Sequence, residues 1–251
     1  MIVTTVLLAA MGTAPAAPTP ASAPVQPVEL MVEDGAAPWS DQEGKGYAND
    51  LVRAAYAAVH VRLTLRVVPY ARCKAYAMQG QVAGCFSMSD SPELKGAVVF
   101  ADAPLFQVTP RFYTNPARPL RATSVRDFPA GTRLGVINGY EYPAEVRLLG
   151  ERGVVLDPAN SETANLKKLA AGRLDAALIM TDRIKTDGVM LKEAQAERMV
   201  FLFAASAMGS YLGFSVRHPD GERARALFNE GYRIISANGV RNAIAKKWQL
   251  Q

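Results

Sequence analysis

Two stretches of this chain repeat one hydrophobic pattern. Apolar helix positions lead to Gly80 and then to the strand-like run Val82-Ala83-Gly84-Cys85-Phe86-Ser87-Met88. Further on, Leu166, Leu169 and Ala170 lead to Gly172 and then to Leu174-Asp175-Ala176-Ala177-Leu178-Ile179-Met180. A helix closed by glycine and feeding a short apolar strand is a βαβ building block, since glycine takes the left-handed backbone of a helix C-cap without strain. One copy in each half predicts an α/β protein of two similar lobes with a cleft between them. The first half also predicts strands over 29–32 and 63–68, the latter from its β-branched content. Between them lies a helix over 48–59, with Ala48, Leu51, Val52, Ala55 and Val59 on one apolar face. A further helix over 71–79 precedes the first glycine. The second half predicts a strand over 133–137, a helix through Ala144 and Leu148, and a strand over 154–156. A helix capped by Asn160 or Ser161 then runs to Gly172. A return strand over 211–216 leads to two terminal helices, one with Ala224, Leu227, Phe228, Gly231, Ile234 and Ile235 on its face, the other with Ala243, Ile244 and Trp248.

The opening stretch breaks this pattern. Residues 1–28 carry no charged side chain and pass from an apolar run into small residues and prolines. That is the later part of a secretory signal peptide followed by a flexible spacer. The Lys/Arg of an n-region are missing, which a start placed too far downstream would explain; a disordered apolar N-terminus is the alternative. The run is too short to span a bilayer. The 251-residue chain as a whole can bury a sizeable core, and its formal charge of +5 is scattered, with no dense Lys/Arg run beside exposed aromatics. Nucleic acid is therefore not expected as a partner.

Cys73 and Cys85 are the only cysteines. An exported chain permits a disulfide between them, because the helix and strand that carry them pack face to face; two free buried thiols are the alternative. Two thiols without a nearby histidine supply too few ligands for a metal, and no metal or cofactor is expected.

Several short pieces, in order, resemble the bacterial extracellular solute-binding proteins of family 3, the polar amino-acid type of ABC-transporter receptor. They are Pro38-Trp39-Ser40, Gly46-Tyr47-Ala48-Asn49-Asp50-Leu51, Pro69-Tyr70-Ala71-Arg72, Phe100-Ala101-Asp102-Ala103-Pro104-Leu105, Gly172-Arg173-Leu174-Asp175-Ala176 and the tail from Ala237 to Trp248. The resemblance implies a type II periplasmic-binding-protein fold: a leader over 1–27, a first lobe over 28–108, a second over 109–207, and a return to the first over 208–251. It also implies a monomeric periplasmic protein with a hinged cleft that passes a small solute to an ABC-transporter permease. Two departures bear on the ligand. Where relatives clamp an α-carboxylate with arginine, this chain has Leu94 in Ser91-Pro92-Glu93-Leu94; where they receive the α-amino group on aspartate, it has Met180, with Asp182 two residues on.

The candidate ligand-binding residues follow from strand ends and turns. Trp39 rims the cleft and could stack on a ligand, or cap the first lobe's core. Tyr70 and Phe86 are further candidate walls, Phe86 because strand C-termini face the crevice of an open α/β sheet. Ser87 and Ser89 alternate and could turn hydroxyls the same way, or only cap the strand. Arg72 could grip a carboxylate or phosphate, or brace Glu33 or Asp34. The turn Asn138-Gly139-Tyr140 is expected at a helix start, where Gly139 and Tyr140 would offer backbone N–H groups to an anion. Glu141 reads as solvent-facing or a cap, Asp182 as a lesser ligand candidate, and Asp175 as a partner of backbone in the Gly172 turn. His60 and His218 read as surface residues. No nucleophile elbow, phosphate loop or dinucleotide glycine motif occurs. The expected function is capture of a small polar or anionic, possibly aromatic, solute without catalysis. A sensor without a transporter, or a small cyclohexadienyl-dehydratase-like enzyme using Glu141 or Asp182 with Arg72, are the alternatives.

Overall fold

The computed structural model describes residues 26–249, so the leader-like stretch up to residue 25 lies outside the described residues. The first half opens with β1 (Val28–Glu33), α1 (Tyr47–Ala58), β2 (Leu63–Val68), α2 (Tyr70–Gln79), β3 (Gly84–Met88) and β4 (Val98–Phe100). The long strand β5 (Phe106–Thr114) leads into β6 (Arg133–Ile137), α3 (Ala144–Arg147), β7 (Val155–Ala159), α4 (Glu162–Ala170), β8 (Ala176–Thr181), α5 (Asp187–Glu193) and β9 (Val200–Ala204). The chain returns through β10 (Met208–Ser215) and ends in α6 (Gly221–Ala237) and α7 (Val240–Gln249).

The strands pair in the order β2-β1-β3-β10-β5-β8-β6-β7, with β4 on β10 and β9 on β5. β1 lies parallel between β2 and β3, and β6 parallel between β7 and β8. These are the sheets of two α/β lobes. β5 and β10 join them: Phe106–Val108 pairs with Met208–Ser210 at the crossing, after which β5 continues along β8 and β9. Both glycine–strand units are present. Gly80 closes α2 with φ 79° and Gly172 follows α4 with φ 69°, and each is followed by the buried strand of its lobe.

Three local expectations need correction. The helix through Ala144 and Leu148 is a four-residue turn of helix beginning only after Pro143, because Tyr142 folds inward and its hydroxyl accepts the Ile137 N–H at 2.9 Å. Helix α5 and strand β9 had no counterpart in the sequence reading; α5 is seven residues and β9 five, too short for a periodic signal. Asp175 does serve backbone, but it accepts the Arg133 N–H at 2.8 Å instead of a donor in the Gly172 turn.

In the first lobe the closest packing is between α1 and α6. Tyr56 donates its hydroxyl to the Ala224 carbonyl at 2.9 Å, and a side chain at Gly231 would place Cβ 1.9 Å from the Ala55 carbonyl oxygen. On the other face of the sheet, Cys73 of α2 and Cys85 of β3 form a disulfide with Cα atoms 5.7 Å apart. Helix propensity alone would make alanine at Gly231 better by about 1 kcal/mol. The overlap with Ala55 must outweigh that gain, so Gly231→Ala is expected to destabilise the protein by about 1–3 kcal/mol. An unchanged urea midpoint would show that α1 and α6 do not need this contact.

Candidate functional site

The parallel strands of both lobes end toward the same gap, and the residues at those ends build the site. β1 delivers Glu33, β3 delivers Ser87 and, just beyond it, Ser89, while β8 delivers Met180. The turn after β6 adds Tyr140 and Glu141, and the crossing strands add Val108 and Ser210. With Trp39 these residues line a cavity of only about 20 Å³, room for roughly one water.

Two tyrosine–carboxylate pairs cross between the lobes. Tyr140 of the second lobe donates its hydroxyl to Glu33 of the first at 2.5 Å. Reciprocally, Tyr70 of the first lobe donates to Glu141 of the second at 2.5 Å. The two rings meet edge to face with centroids 4.9 Å apart. Glu141 also accepts the Ser89 N–H at 3.0 Å and lies 3.3 Å from the Lys74 ammonium. Glu33 has no such counter-ion: among the described residues no cation lies within 4.0 Å of it, and its Oε1 has no hydrogen-bond partner.

Burial dominates the acidity of both carboxylates. Loss of hydration pushes Glu33 up to about 7, against the opposing pull of the Tyr140 hydroxyl, the Lys185 charge and the nearby Ser87. Glu141 is also raised by burial, with Lys74 the largest offset. Tyr70 and Tyr140 are held well above the usual phenol range, so both remain donors.

A second seam grips Trp39. Its indole N–H donates to Asp182 at 3.0 Å, its ring stacks on Phe106 with centroids 4.8 Å apart, and the Lys185 ammonium sits 4.2 Å from the ring centroid. Lys185 is fully buried and pairs with Glu162, whose other oxygen accepts the Met180 N–H at 2.6 Å. Asp182 additionally accepts the N–H groups of Ile184 and Lys185 at 2.8 and 2.6 Å. Burial raises its pKa despite these donors.

Of the residues anticipated from sequence, Trp39, Tyr70, Ser87, Ser89, Tyr140 and Asp182 therefore meet at the lobe interface. Ser87 holds φ at 70°, a left-handed backbone unusual for serine, and its buried Oγ has no hydrogen-bond partner. Gly139 acts differently from expectation. No helix starts there; its φ of 84° lets the turn lie against α2, where a Cβ would come within 3.0 Å of Ala71. Arg72 is exposed and does not line the cavity, because its place on α2 turns it outward while Cys73 and Lys74 face in. Phe86 is fully buried in the first lobe's core with Leu51 and Phe214, since alternation along β3 sends it to the face covered by α1 and α6. Glu141 is buried instead of solvent-facing. The sequence reading missed Glu33, Glu162 and Lys185 as site residues; an acid ending a parallel strand was the available signal for Glu33.

No family model matches the chain, and no curated protein matches it. Solved structures do. A histidine kinase sensor domain with similarity to periplasmic binding proteins superposes with TM-score 0.74 at 21% identity, covering 89% of this chain and 96% of that one. The fold is that of the type II periplasmic binding proteins. A variant of the arginine-binding protein of T. maritima follows at TM-score 0.72 and 17% identity, covering 89% and 96%. An ancestral amino-acid-binding protein, described as a precursor of cyclohexadienyl dehydratase, gives 0.67 and 16%, covering 88% and 94%.

The Glu33 site fixes a sign for pH dependence. A carboxyl whose folded pKa is raised binds more protons folded than unfolded, so stability is full below the ordinary carboxylate range and falls as pH rises. The contribution of Glu33 should be lost between about pH 4.5 and 7. Urea unfolding across that range should show a shallower slope in Glu33→Gln than in the parent protein; identical slopes would mean Glu33 is not buried as described.

Proposed function

We propose that this protein is a periplasmic solute-binding receptor whose cleft takes a small polar solute carrying a cationic group, an ammonium or a guanidinium. The observation that carries this reading is Glu33: a buried carboxylate at a strand end facing the inter-lobe cavity, with one oxygen unpartnered and, among the described residues, no cation within 4.0 Å. A buried charge without a counter-ion is costly, and a ligand cation is what would relieve it. The sequence pointed to a polar or anionic solute largely through Arg72 and a helix start at Gly139. With Arg72 exposed and no helix there, the acidic lining favours a cationic group. Trp39, Tyr70 and Tyr140 supply aromatic faces on which a cation or a flat ring can rest.

The cavity's size implies motion. A solute larger than water enters only when the lobes part at β5 and β10, and it favours closure by contacting both. Delivery to an ABC-transporter permease, as a monomer in the periplasm, completes this reading. The similarity to a histidine kinase sensor domain favours sensing as a second reading; a neighbouring permease and ATPase gene pair would argue for transport, a neighbouring kinase for sensing. The dehydratase alternative is weaker, because Arg72 is exposed and does not line the cavity, and Asp182 is committed to Trp39 and two backbone N–H groups.

A thermal-shift screen of arginine, lysine, agmatine and putrescine against glutamate, succinate and benzoate tests the proposal. Cationic compounds are expected to raise the melting temperature saturably, since a ligand of the folded state adds stability. Glu33→Gln should weaken the best of them by at least about tenfold, roughly 1.4 kcal/mol. In the parent protein affinity should also rise between pH 6 and 8, as Glu33 loses its proton to solvent and its carboxylate becomes free to pair with the cation. Stabilisation by the anions alone, or full affinity in Glu33→Gln, would refute the assignment.

A further inference from the structure

Behind the crossing strands lies a second, larger cavity that shares almost nothing with the first. Val108 faces the inter-lobe cavity, whereas Phe106, Gln107, Thr109 and Arg111 of β5, with Leu105 before them, line a separate space of about 560 Å³. That is within the range of sites for small organic ligands. Its walls come from both lobes: Tyr47 and Arg241 at the starts of α1 and α7 on one side, Arg111 and Arg183 on the other.

The lining is strongly basic. Three guanidinium groups face it, with Asp182 the one carboxylate among the described lining residues. That carboxylate is already occupied by the Trp39 indole and two backbone N–H groups. Arg111 is anchored by Asp187 at 3.0 Å and by the Phe201 ring at 4.1 Å, yet its Nε is shielded from solvent without a hydrogen-bond partner. No carboxylate lies within 4.0 Å of Arg183 or Arg241 among the described residues. Tyr47, Arg241, Asp182 and Arg183 all line this one cavity, and the three charges act on the Tyr47 phenol.

We propose that this cavity is a binding site for a small multivalent anion of the carboxylate or phosphate class, separate from the solute cleft. Guanidinium forks match the geometry of both groups, and Tyr47 and Thr109 add hydroxyls. Because Arg241 moves with the first lobe and Arg111 and Arg183 with the second, a bound anion ties the lobes together from behind. It also lies beside the Asp182 carboxylate that holds Trp39, so anion and solute are linked: each should change the affinity of the other by the same factor.

The probes are citrate and inorganic phosphate, titrated against sodium chloride at matched ionic strength and followed by melting temperature and calorimetry. Citrate or phosphate should raise the melting temperature saturably above the chloride control. The double variant Arg183→Gln/Arg241→Gln should lose most of that rise, with calorimetric affinity at least about tenfold weaker, as expected when two charge-assisted contacts are removed. Arg183→Gln alone, at an exposed position, gives a partial loss if the double variant misfolds. Glu33→Gln should keep the anion response, which separates failure here from failure of the cleft assignment. A response equal to chloride, one undiminished in both arginine variants (general exclusion of these salts from the surface), or one abolished by Glu33→Gln would overturn the proposal.

Discussion

The arrangement of this molecule turns on the crossed exchange between Glu33 and Tyr140 and between Tyr70 and Glu141. Each lobe offers one carboxylate and one phenol, and each carboxylate is met by the other lobe's phenol at 2.5 Å. Isolated carboxylates would not be tolerated at such depth, because stripping their hydration costs several kcal/mol that a single hydrogen bond does not restore. The two pairs are not equivalent. Glu141 is satisfied further by a backbone N–H and by Lys74, and so resembles a finished structural ion pair. Glu33 is left half-satisfied, which makes it the element of the interface that favours a further partner.

The sheet topology is what makes this exchange possible. Parallel strands direct their carboxyl ends to one edge, and two lobes joined through antiparallel β5 and β10 set those edges facing each other. Polar residues at strand ends are therefore concentrated in the gap, while the strand interiors stay apolar. The Trp39 seam follows the same logic: a loop after β1 in one lobe meets a loop after β8 in the other, and Lys185 is balanced by Glu162 at the start of α4. The same strand β5 lines both the inter-lobe cavity and the larger basic one, so one strand serves two chemically different spaces.

Much of the fold was legible because periodicity and glycine report local structure directly. Gly80 and Gly172 marked the two repeated units, and β2 begins and ends where its β-branched run does. The aromatic and hydroxyl residues Trp39, Tyr70, Ser87, Ser89 and Tyr140 could be placed at the gap because each lies at a strand end or the turn after it. The charges were not legible. Whether Glu141 faces solvent, whether Lys185 is buried and whether Arg72 points outward depend on how the second lobe docks on the first. Nothing in the local pattern encodes that long-range contact. The same dependence explains Gly139, whose positive φ serves the approach of the turn to Ala71 and not the start of a helix.

Because Glu33 is buried and bonded across the lobes by Tyr140, closure of the proposed receptor depends on the protonation of Glu33. This dependence can be tested by measuring an inter-lobe distance as a function of pH. Glu43 of the first lobe and Glu193 of the second are both exposed and line one gap of about 370 Å³. Spin labels introduced through Glu43→Cys and Glu193→Cys would report the separation of the lobes by double electron–electron resonance. The charged form of Glu33 is disfavoured in the closed state, so a longer-distance population should grow between pH 5 and 8 and be much reduced in a Glu33→Gln background. A single short distance that ignores pH, or the same opening with Glu33→Gln, would contradict it.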